Sequence, residues 1–468
     1  MIKRFYMIAV LAMAMLLALP AAAEARAVDY ADVPGDEVRV LLLGSSSAAS
    51  FTVSVGSGDY YIASAANPDD ALYELSSGSI TFYTSGPSSY SVSSGSFSDS
   101  GVSPYLLVPE SAADYFVFNG SPYRGCFKAV NSGVYYYAVN QVKVELYLYG
   151  VVGREIGYGY HINAIMAQAV AARTYALGNC SPAHVYYDLT STTSSQVYGG
   201  KNAESERIIE AVDRTCGQAL MYKGRYISAY YSSNAGGYTE DVENVWLSNA
   251  VPIKGVPSPH DSWAGKYSSY GASTYSWTVE YTPQQLVALA NSYGKTDIGA
   301  YKSISMSLTC AGQTSVSGRA MSVTISGSKG SVTATKDAVR SLLNLKSSLI
   351  TITDQTAQKV GAYIKGGSGS AIALPALDSL YAMSKGGGVM VANGGNSGVY
   401  VRGAATLAEL PKKAATGNTI VINGRGYGHG VGMSQFGAIA MADDGYDWDE
   451  IIEHYFCCNT GIELTEAY

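Results

Sequence analysis

Glu155 is the carboxyl group in this sequence whose position best suits proton transfer. Leu148, Val151 and Val152 precede it at helical spacing, so the glutamate is expected on the apolar stripe of a short helix. Burial and the negative end of the helix dipole both disfavour a charged carboxylate there. A carboxyl group that keeps its proton near neutral pH can act as a general acid. Spacing alone nevertheless favours a simpler interpretation, a glutamate that caps the helix or pairs locally.

A second helix is expected directly after the first. Residues 157–160 interrupt the helical pattern, which resumes with a face formed by Ile165, Ala169, Ala172 and Ala176. Small residues on one face allow a helix to pack closely against its neighbours. We therefore expect this pair of helices to hold the acidic side chain in place.

A glycine-rich segment near the C-terminus is the second candidate for chemistry. From Asn423 to Ala438, glycines alternate with the large residues Arg425, Tyr427 and His429. Such a loop presents these side chains while its backbone passes close to another group. It is not a phosphate-binding loop, because the Gly-Lys-Ser/Thr ending is missing.

Composition narrows the class of protein. Of the 468 residues, 47% are hydrophobic and 14% are charged, which is typical of an exported globular protein rather than a disordered one. The net charge of −7 argues against nucleic acid as a partner. The 39 tyrosines suit a surface that stacks on sugars, although strand propensity explains them equally well.

Residues 1–27 have the features of a secretory signal. Lys3 and Arg4 precede an apolar run from about Met7 to Ala23, and small-x-small cleavage sites follow. The alternative is an uncleaved membrane anchor, since the run is nearly long enough to span a bilayer. In either case we expect a protein that is secreted or lies on the cell-wall side of the membrane.

We expect an α+β fold after this signal, with mixed β-sheets, packed helices and a catalytic groove between a helical subdomain and β-rich regions. Residues 28–122 are rich in Tyr, Ser and Gly and predict short strands. Residues 123–468 would form a second domain with a β-rich subdomain inserted around 280–415. Within it, residues 366–403 are rich in Gly and Ser and indicate a surface insertion.

Several separated motifs together resemble the stage II sporulation protein D family (SpoIID/LytB). The resemblance covers roughly Tyr123 to the C-terminus, and its first and last motifs are long and specific. The motifs are Tyr147–Glu155, Ala167–Ala176, Gln196–Gly200, Tyr231–Glu240, Ser317–Arg319, Leu345–Ser348 and Gly424–Gln435.

This resemblance implies action on the glycan strands of bacterial peptidoglycan. Sporulation members are lytic transglycosylases that cleave between N-acetylmuramic acid and N-acetylglucosamine, prefer strands stripped of stem peptides, and leave 1,6-anhydro ends. The family's catalytic acid falls on Glu155. The resemblance also implies an N-acetylmuramoyl-L-alanine amidase and a membrane complex as partners. Further polar and glycine residues in the matching motifs are assigned hypothetically to binding the glycan: Gln168, Arg173, Tyr198, Ser233, Gly236, Gly237, Tyr238, His429 and Gln435.

The sequence departs from the family pattern in two places. Some members bind zinc through cysteines and histidines between the second helix and the Gln-Val-Tyr motif. Here that region keeps Cys180 and His184, and Asp188 is the one further residue able to contribute, so we expect no metal and no other cofactor. Second, residues 156–160 differ from the Met-Pro and tryptophan that members often carry, which could alter the groove.

Two other functions compete with the enzyme. LytB-type relatives are described as modifiers of an amidase, so a non-catalytic wall-binding activator would use the same groove. A structural wall protein that binds through its Tyr-rich N-terminal region is the third hypothesis. A glutamate on an apolar face favours the enzyme, because a pure binder has no need of it.

Overall fold

The computed structural model describes residues 29–356 and 419–468, except positions 34, 48, 182, 247–251 and 459, and the backbone of six short strands between residues 363 and 409. The predicted signal and most of the glycine-rich stretch 366–403 lie outside the described residues. The described chain is α+β, as predicted. It forms two compact units, and the predicted domain limits stay predictions.

Unit 1 contains the described residues up to Tyr147 together with Val185–Thr190 and Gly200–Asn202. Its strands form a seven-stranded sheet, in the order β13-β1-β12-β11-β8-β3-β4, and a six-stranded sheet, in the order β10-β9-β2-β5-β6-β7. The strands are β1 (Glu37–Ser45), β2 (Ser50–Ser57), β3 (Tyr60–Ser64), β4 (Tyr73–Leu75), β5 (Ser79–Gly86), β6 (Ser89–Ser94), β7 (Phe97–Gly101), β8 (Tyr105–Pro109), β9 (Tyr115–Phe118), β10 (Ser121–Arg124), β11 (Cys126–Asn131), β12 (Tyr136–Lys143) and β13 (Leu189–Thr190).

An aromatic core holds unit 1 together. Alternate residues of its strands point inward, so that Phe82 of β5 is buried while its neighbour Tyr83 is exposed. Phe127 lies at the centre, with ring centroids 5.1 Å from Phe82, 5.6 Å from Phe116 and 5.4 Å from Phe118. These separations are typical of tilted and edge-on aromatic contacts.

Unit 2 contains Leu148–His184, Ser191–Gly199 and the described residues from Ala203 to Tyr468. The helices of the chain are α1 (Val144–Glu155), α2 (Ile162–Asn179), α3 (Glu206–Arg214), α4 (Val242–Val245), α5 (Ser269–Tyr275), α6 (Pro283–Gly294), α7 (Ala338–Leu343), α8 (Gln435–Asp443) and α9 (Trp448–Ile452), with 3₁₀ turns at Tyr30–Asp32, Gly200–Ala203 and Pro259–Lys266 and a π-helical turn at Glu453–Cys457. Among the described residues, no helix is both long and apolar enough to cross a bilayer.

The strands of unit 2 are short and belong to several small sheets. They are β14 (Gln218–Tyr222), β15 (Arg225–Tyr226), β16 (Tyr231–Ser232), β17 (Ser276–Tyr281), β18 (Tyr301–Ser307), β19 (Thr309–Cys310), β20 (Gln313–Thr314), β21 (Ser322–Gly327), β22 (Ser331–Thr335), β23 (Ile350–Asp354), β24 (Tyr363–Lys365), β25 (Ala371–Ala373), β26 (Tyr381–Met383), β27 (Val389–Val391), β28 (Tyr400–Arg402), β29 (Leu407–Glu409), β30 (Ile420–Arg425), β31 (Met433–Ser434) and β32 (Ile462–Glu466).

Helix α2 is the central element of unit 2. Its predicted small-residue face, Ile165, Ala169, Ala172 and Ala176, is fully buried. The helix packs against α3, α8, α9 and β14. Because alanines keep the packed backbones close together, segments that are distant in sequence can meet around the C-terminal end of α1.

A second core supports the glycine-rich loop. Strand β30 pairs with β17 and β23, and buried residues of this sheet and of the sheet β18-β21-β22 pack with Leu286 of α6 and Leu342 of α7. Residues 426–432 leave the end of β30 and lead into β31, which pairs in parallel with β16. The loop is therefore anchored at both ends by strands.

We expect Phe127→Ala to destabilise the protein by about 3–5 kcal/mol, because the substitution removes a buried ring and leaves a cavity between three other rings. Urea unfolding followed by fluorescence measures the change. Tyr83→Ala is the matched control, since this ring is 44% exposed on a strand of the same unit. Equal midpoints for the two variants would contradict the assignment of Phe127 to the core.

Candidate functional site

Glu155 is the last residue of α1, and its side chain is half-buried. The N–H of Ile156 still bonds the carbonyl of Val152, and Gly157, with φ at +81°, then turns the chain away. The Oε1 atom of Glu155 accepts a hydrogen bond of 2.8 Å from the backbone N–H of Val197. The carboxyl group is thus held by a neighbouring loop while it remains partly accessible.

Gln196 fixes the groups that contact this carboxyl. It is almost fully buried, and its Nε2 donates to the carbonyl of Ala172 at 3.2 Å and to the Tyr231 hydroxyl at 3.0 Å. The Tyr231 hydroxyl in turn hydrogen-bonds to the Glu155 carboxyl. One buried amide therefore positions both the Val197 loop and the Tyr231 ring.

Gln435 joins the site from the N-terminus of α8. Its Nε2 donates to the backbone carbonyl of Glu155 at 3.2 Å and to Oε1 of Gln168 at 3.2 Å. Pairing of β16 with β31, Tyr231 opposite Met433, brings this segment alongside the carboxyl group. The Nε2 of Gln168 is buried without a hydrogen-bond partner among the described atoms.

Desolvation raises the pKa of Glu155 above its ordinary value. Hydrogen bonds from Val197, Gln435 and Tyr231 favour the charged form and oppose this shift without cancelling it. Protonation of Glu155 is therefore easier than that of an exposed glutamate, and donors are already in place for the anion. Both forms of the group are needed in general acid and base catalysis.

A cleft of about 330 Å³ lies beside these groups and is lined by rings and hydroxyls. The Trp246 ring centroid is 4.5 Å from Tyr230 and 4.9 Å from His429. The lining residues are Tyr175, Thr193, Ser194, Ser195, Tyr230, Tyr231, Trp246 and His429. Flat rings beside hydroxyl groups suit a ligand with apolar faces and many hydrogen-bonding groups.

His429 lines this cleft with an uncharged imidazole ring. Desolvation and the positive charges of Arg340 and Arg319 lower its pKa to about 3. Its Nδ1 accepts a 3.0 Å hydrogen bond from the Val431 N–H, so the proton of the neutral ring is placed on Nε2. The ring is available to contact a ligand, but it cannot supply a positive charge near neutral pH.

Buried Asp261 holds the loop of residues 232–240 against α8. Its carboxylate accepts hydrogen bonds from the Ser434 hydroxyl at 2.5 Å and the Gly237 N–H at 2.9 Å. Ser434 also accepts from the Ala235 N–H at 3.1 Å. Burial raises the pKa of Asp261, although these hydrogen bonds oppose the shift.

Arg319 is the largest buried charge beneath the glycine-rich loop. Its Nη2 donates to the carbonyl of Ala235 at 2.7 Å, whereas Nε and Nη1 have no partner among the described atoms. Desolvation lowers its pKa to about 10, with Glu240 and Asp261 opposing that shift. Glu240 stays ionised, because hydrogen bonds from Asn244, Ser315 and Ser317 outweigh desolvation and lower its pKa. The guanidinium therefore remains charged near neutral pH.

The structure brings some of the predicted site residues together and separates others. Glu155, Gln168 and Gln435 are in one hydrogen-bonded group, and His429 lines the cleft. Arg173 is fully buried and donates to the carbonyls of Val212 and Gln218. The other predicted residues belong to the neighbouring loops. Tyr198 is buried, and the backbone carbonyl of Ser233 accepts a hydrogen bond from the Phe436 N–H. Gly236 and Gly237 have positive φ angles, and Tyr238 forms an isolated β-bridge with Pro257.

Four aromatic residues of the cleft were not predicted: Tyr175, Tyr230, Tyr231 and Trp246. Tyr175 and Tyr231 lie inside motifs that could have drawn attention to them. Trp246 follows the short helix α4 and carries no local signal. Its role becomes visible only from its contacts with Tyr230 and His429.

Asp188 is a potential metal ligand from the sequence for which the structure shows a charged partner. Asp188 pairs with Arg39 at 2.7 Å. Within the described parts of the chain, no three His, Cys, Asp or Glu side chains lie close enough to hold a metal ion. The absence of a cofactor stays a prediction.

Comparison with known proteins relates the chain to one family. The family model for stage II sporulation protein (SpoIID) matches residues 133–222, the range that contains Glu155, Gln168 and Val197. Stage II sporulation protein D of Bacillus subtilis is 26% identical over 70% of this chain and 76% of its own length. These matches support membership of the stage II sporulation protein D family.

Other similarities extend beyond this SpoIID range. An uncharacterized protein of Brachyspira hyodysenteriae is 28% identical over 75% of each chain. The amidase enhancer of Bacillus subtilis is 28% identical over 66% of this chain but only 39% of its own length. Residues 262–370 match a domain of unknown function, DUF8618. His429 and Gln435 lie outside both matched ranges.

We expect Glu155→Gln to increase thermal stability more near pH 7 than near pH 4. The folded-state pKa of Glu155 is raised above its unfolded value of about 4.3, so the folded protein binds the proton more tightly. Wild-type stability therefore falls as pH rises through the interval between the two values, whereas glutamine does not titrate. Melting temperatures across this range measure the effect. A difference that does not vary with pH would contradict the raised pKa.

Gly430→Ala should destabilise the protein by roughly 2–4 kcal/mol. A Cβ atom at this position would lie 2.0 Å from Nη2 of Arg319, and φ is +77°. Gly445→Ala is the matched control, because φ is +102° there but nothing lies within 4 Å. The control should lose only about 1 kcal/mol from backbone strain. Equal losses in chemical denaturation would show that the buried guanidinium does not constrain the loop.

Proposed function

We propose that this protein is an exported lytic transglycosylase that cleaves peptidoglycan glycan strands between N-acetylmuramic acid and N-acetylglucosamine. Similarity to the SpoIID family supports a function in sporulation or the cell wall. The observation that carries the proposal is the raised pKa of Glu155, a half-buried carboxyl group beside an aromatic cleft. The signal predicted for residues 1–27 supports export.

A single carboxyl group is enough for this reaction. Hydrolytic glycosidases ordinarily need two, one acid and one base or nucleophile. Among the residues that line the cleft there is no aspartate or glutamate, and nearby Asp261 and Glu240 are engaged in buried hydrogen-bond networks. This arrangement favours a reaction in which Glu155 performs both proton transfers.

The proposed reaction needs no water molecule, because the 6-hydroxyl of the sugar itself replaces the leaving oxygen at C1. Protonated Glu155 gives its proton to the glycosidic oxygen as the bond from that oxygen to C1 of N-acetylmuramic acid breaks. The 6-hydroxyl of the same sugar then bonds to C1, and its proton returns to the Glu155 carboxylate. Donors from Val197 and Tyr231 stabilise the carboxylate between the two steps.

We expect Glu155→Gln to reduce the formation of anhydro-muramic ends by roughly 10²–10⁴-fold, because glutamine cannot transfer the proton. The assay uses purified protein and peptide-free glycan strands, with mass spectrometry of the products. Glu210→Gln is the matched control, since Glu210 is an exposed glutamate paired with Arg214 on α3. Intact strands after incubation with the wild-type protein would overturn the proposal.

A non-catalytic activator of an amidase is the second candidate. The observation that favours it is the similarity to an amidase enhancer over 66% of this chain. An N-acetylmuramoyl-L-alanine amidase assayed on intact peptidoglycan distinguishes the two functions. Stimulation that is equal for the wild type and Glu155→Gln, with no anhydro products from either, would establish the activator.

A further inference from the structure

A continuous row of aromatic rings, some exposed and one buried, lies in unit 2 outside the cleft. We name it the aromatic track and define it as Tyr160, Tyr267, Phe436, Tyr270 and Tyr427. Successive ring centroids are separated by 5.7, 6.3, 6.4 and 6.4 Å. Neither Glu155 chemistry nor the cleft accounts for this row.

We propose that the aromatic track binds successive sugars of a glycan strand whose scissile bond lies at Glu155. The inference rests on the proposed function and adds a binding site for the distal part of the substrate. Pyranose rings present flat faces of C–H groups, which pack on aromatic rings, while their hydroxyls remain in water. A row of rings about one sugar apart suits a polymer of such units.

Exposure of the rings agrees with this role. Tyr270 is 57% exposed and Tyr427 is 36% exposed, whereas Phe436 is buried beneath them. The buried ring supports its neighbours, and the exposed ones offer a surface for a ligand. Two neighbouring exposed rings form an apolar patch of the kind that a ligand covers.

The rings are fixed before any ligand arrives. The Tyr267 hydroxyl donates to Asp443 at 2.8 Å, and Arg207 donates to the carbonyl of Tyr160 at 2.9 and 3.2 Å. The backbone of Tyr427 exchanges two hydrogen bonds with that of Asn234, at 2.8 and 3.1 Å. Rigid contact residues lose little conformational entropy on binding, which favours affinity.

The chain segments of the aromatic track adjoin those of the Glu155 site. Phe436 directly follows Gln435, whose side chain donates to the Glu155 carbonyl. Tyr160 lies in the loop that leaves α1 immediately after Glu155. The middle ring and one end ring of the track are thus carried by segments that also supply the site of Glu155.

A glycan fits this surface better than a charged polymer. The one cation over the described rings of the track is Lys346, whose Nζ lies 5.9 Å from the Tyr427 centroid and donates to the Ser273 carbonyl at 2.8 Å. Asp443 is engaged by Tyr267. The surface is therefore dominated by rings and hydroxyls rather than by free charge.

The test measures binding of the whole chain carrying Glu155→Gln to peptide-free glycan strands and to a single tetrasaccharide. Tyr270→Ala and Tyr427→Ala should each weaken long-strand binding roughly three- to tenfold and leave tetrasaccharide binding nearly unchanged. Tyr270→Phe should retain the affinity, because the ring remains. Tyr293→Ala, which removes a 40% exposed ring on α6 outside the track, is the matched control.

Unchanged long-strand affinity in both alanine variants would overturn the inference, as would equal losses for long and short ligands. It would also be overturned if the variants kept their affinity for strands but lost binding to a purified amidase, because the surface would then dock a protein. Cleavage by the wild-type chain is measured in parallel. Length-dependent binding without cleavage would retain the track and reject the proposed enzyme.

Discussion

The site depends on how the Glu155 carboxyl group is buried. Full burial without donors would make its anion too unfavourable to form, and full solvation would leave it ionised near neutral pH. Here the group is half-buried and faces the Val197 N–H and the Tyr231 hydroxyl. Gln196 holds both donors from within the core. The pKa is consequently raised, but a ready-made environment exists for the charged form.

The segments that supply these donors are kept together by buried polar networks rather than by apolar packing alone. Asp261 joins Ser434 and Gly237, and Glu240 accepts from Ser315. Fully hydrogen-bonded networks of this kind specify one arrangement of the loops. Moving one partner away would leave a buried polar group without its hydrogen bond, which would destabilise the protein. Arg319 supplies the compensating positive charge close to both carboxylates. Three loops therefore have little freedom to shift independently.

Local periodicity was sufficient to predict α1, the buried face of α2 and the position of Glu155 at the edge of an apolar stripe. It could not predict the cleft, because Trp246 and Tyr230 meet His429 only through tertiary contacts, and one tyrosine among 39 carries no distinguishing signal. Arg173 illustrates the opposite problem. A polar residue in a long motif was assigned to the ligand, and the structure places it in the core, bonded to backbone carbonyls.

The neutral state of His429 simplifies the electrostatics of the cleft. The pKa of His429 is about 3, so its imidazole is neutral at any pH above the ordinary pKa of a glutamate. The ring therefore does not compete with Glu155 for a proton. It also does not stabilise the Glu155 anion as a positive charge would. Arg319 remains charged near neutral pH. Burial also raises the pKa of Asp261, which lies in the buried network that holds the neighbouring loop. The response of this region to pH therefore combines a partly accessible carboxyl group beside the cleft with a buried structural one.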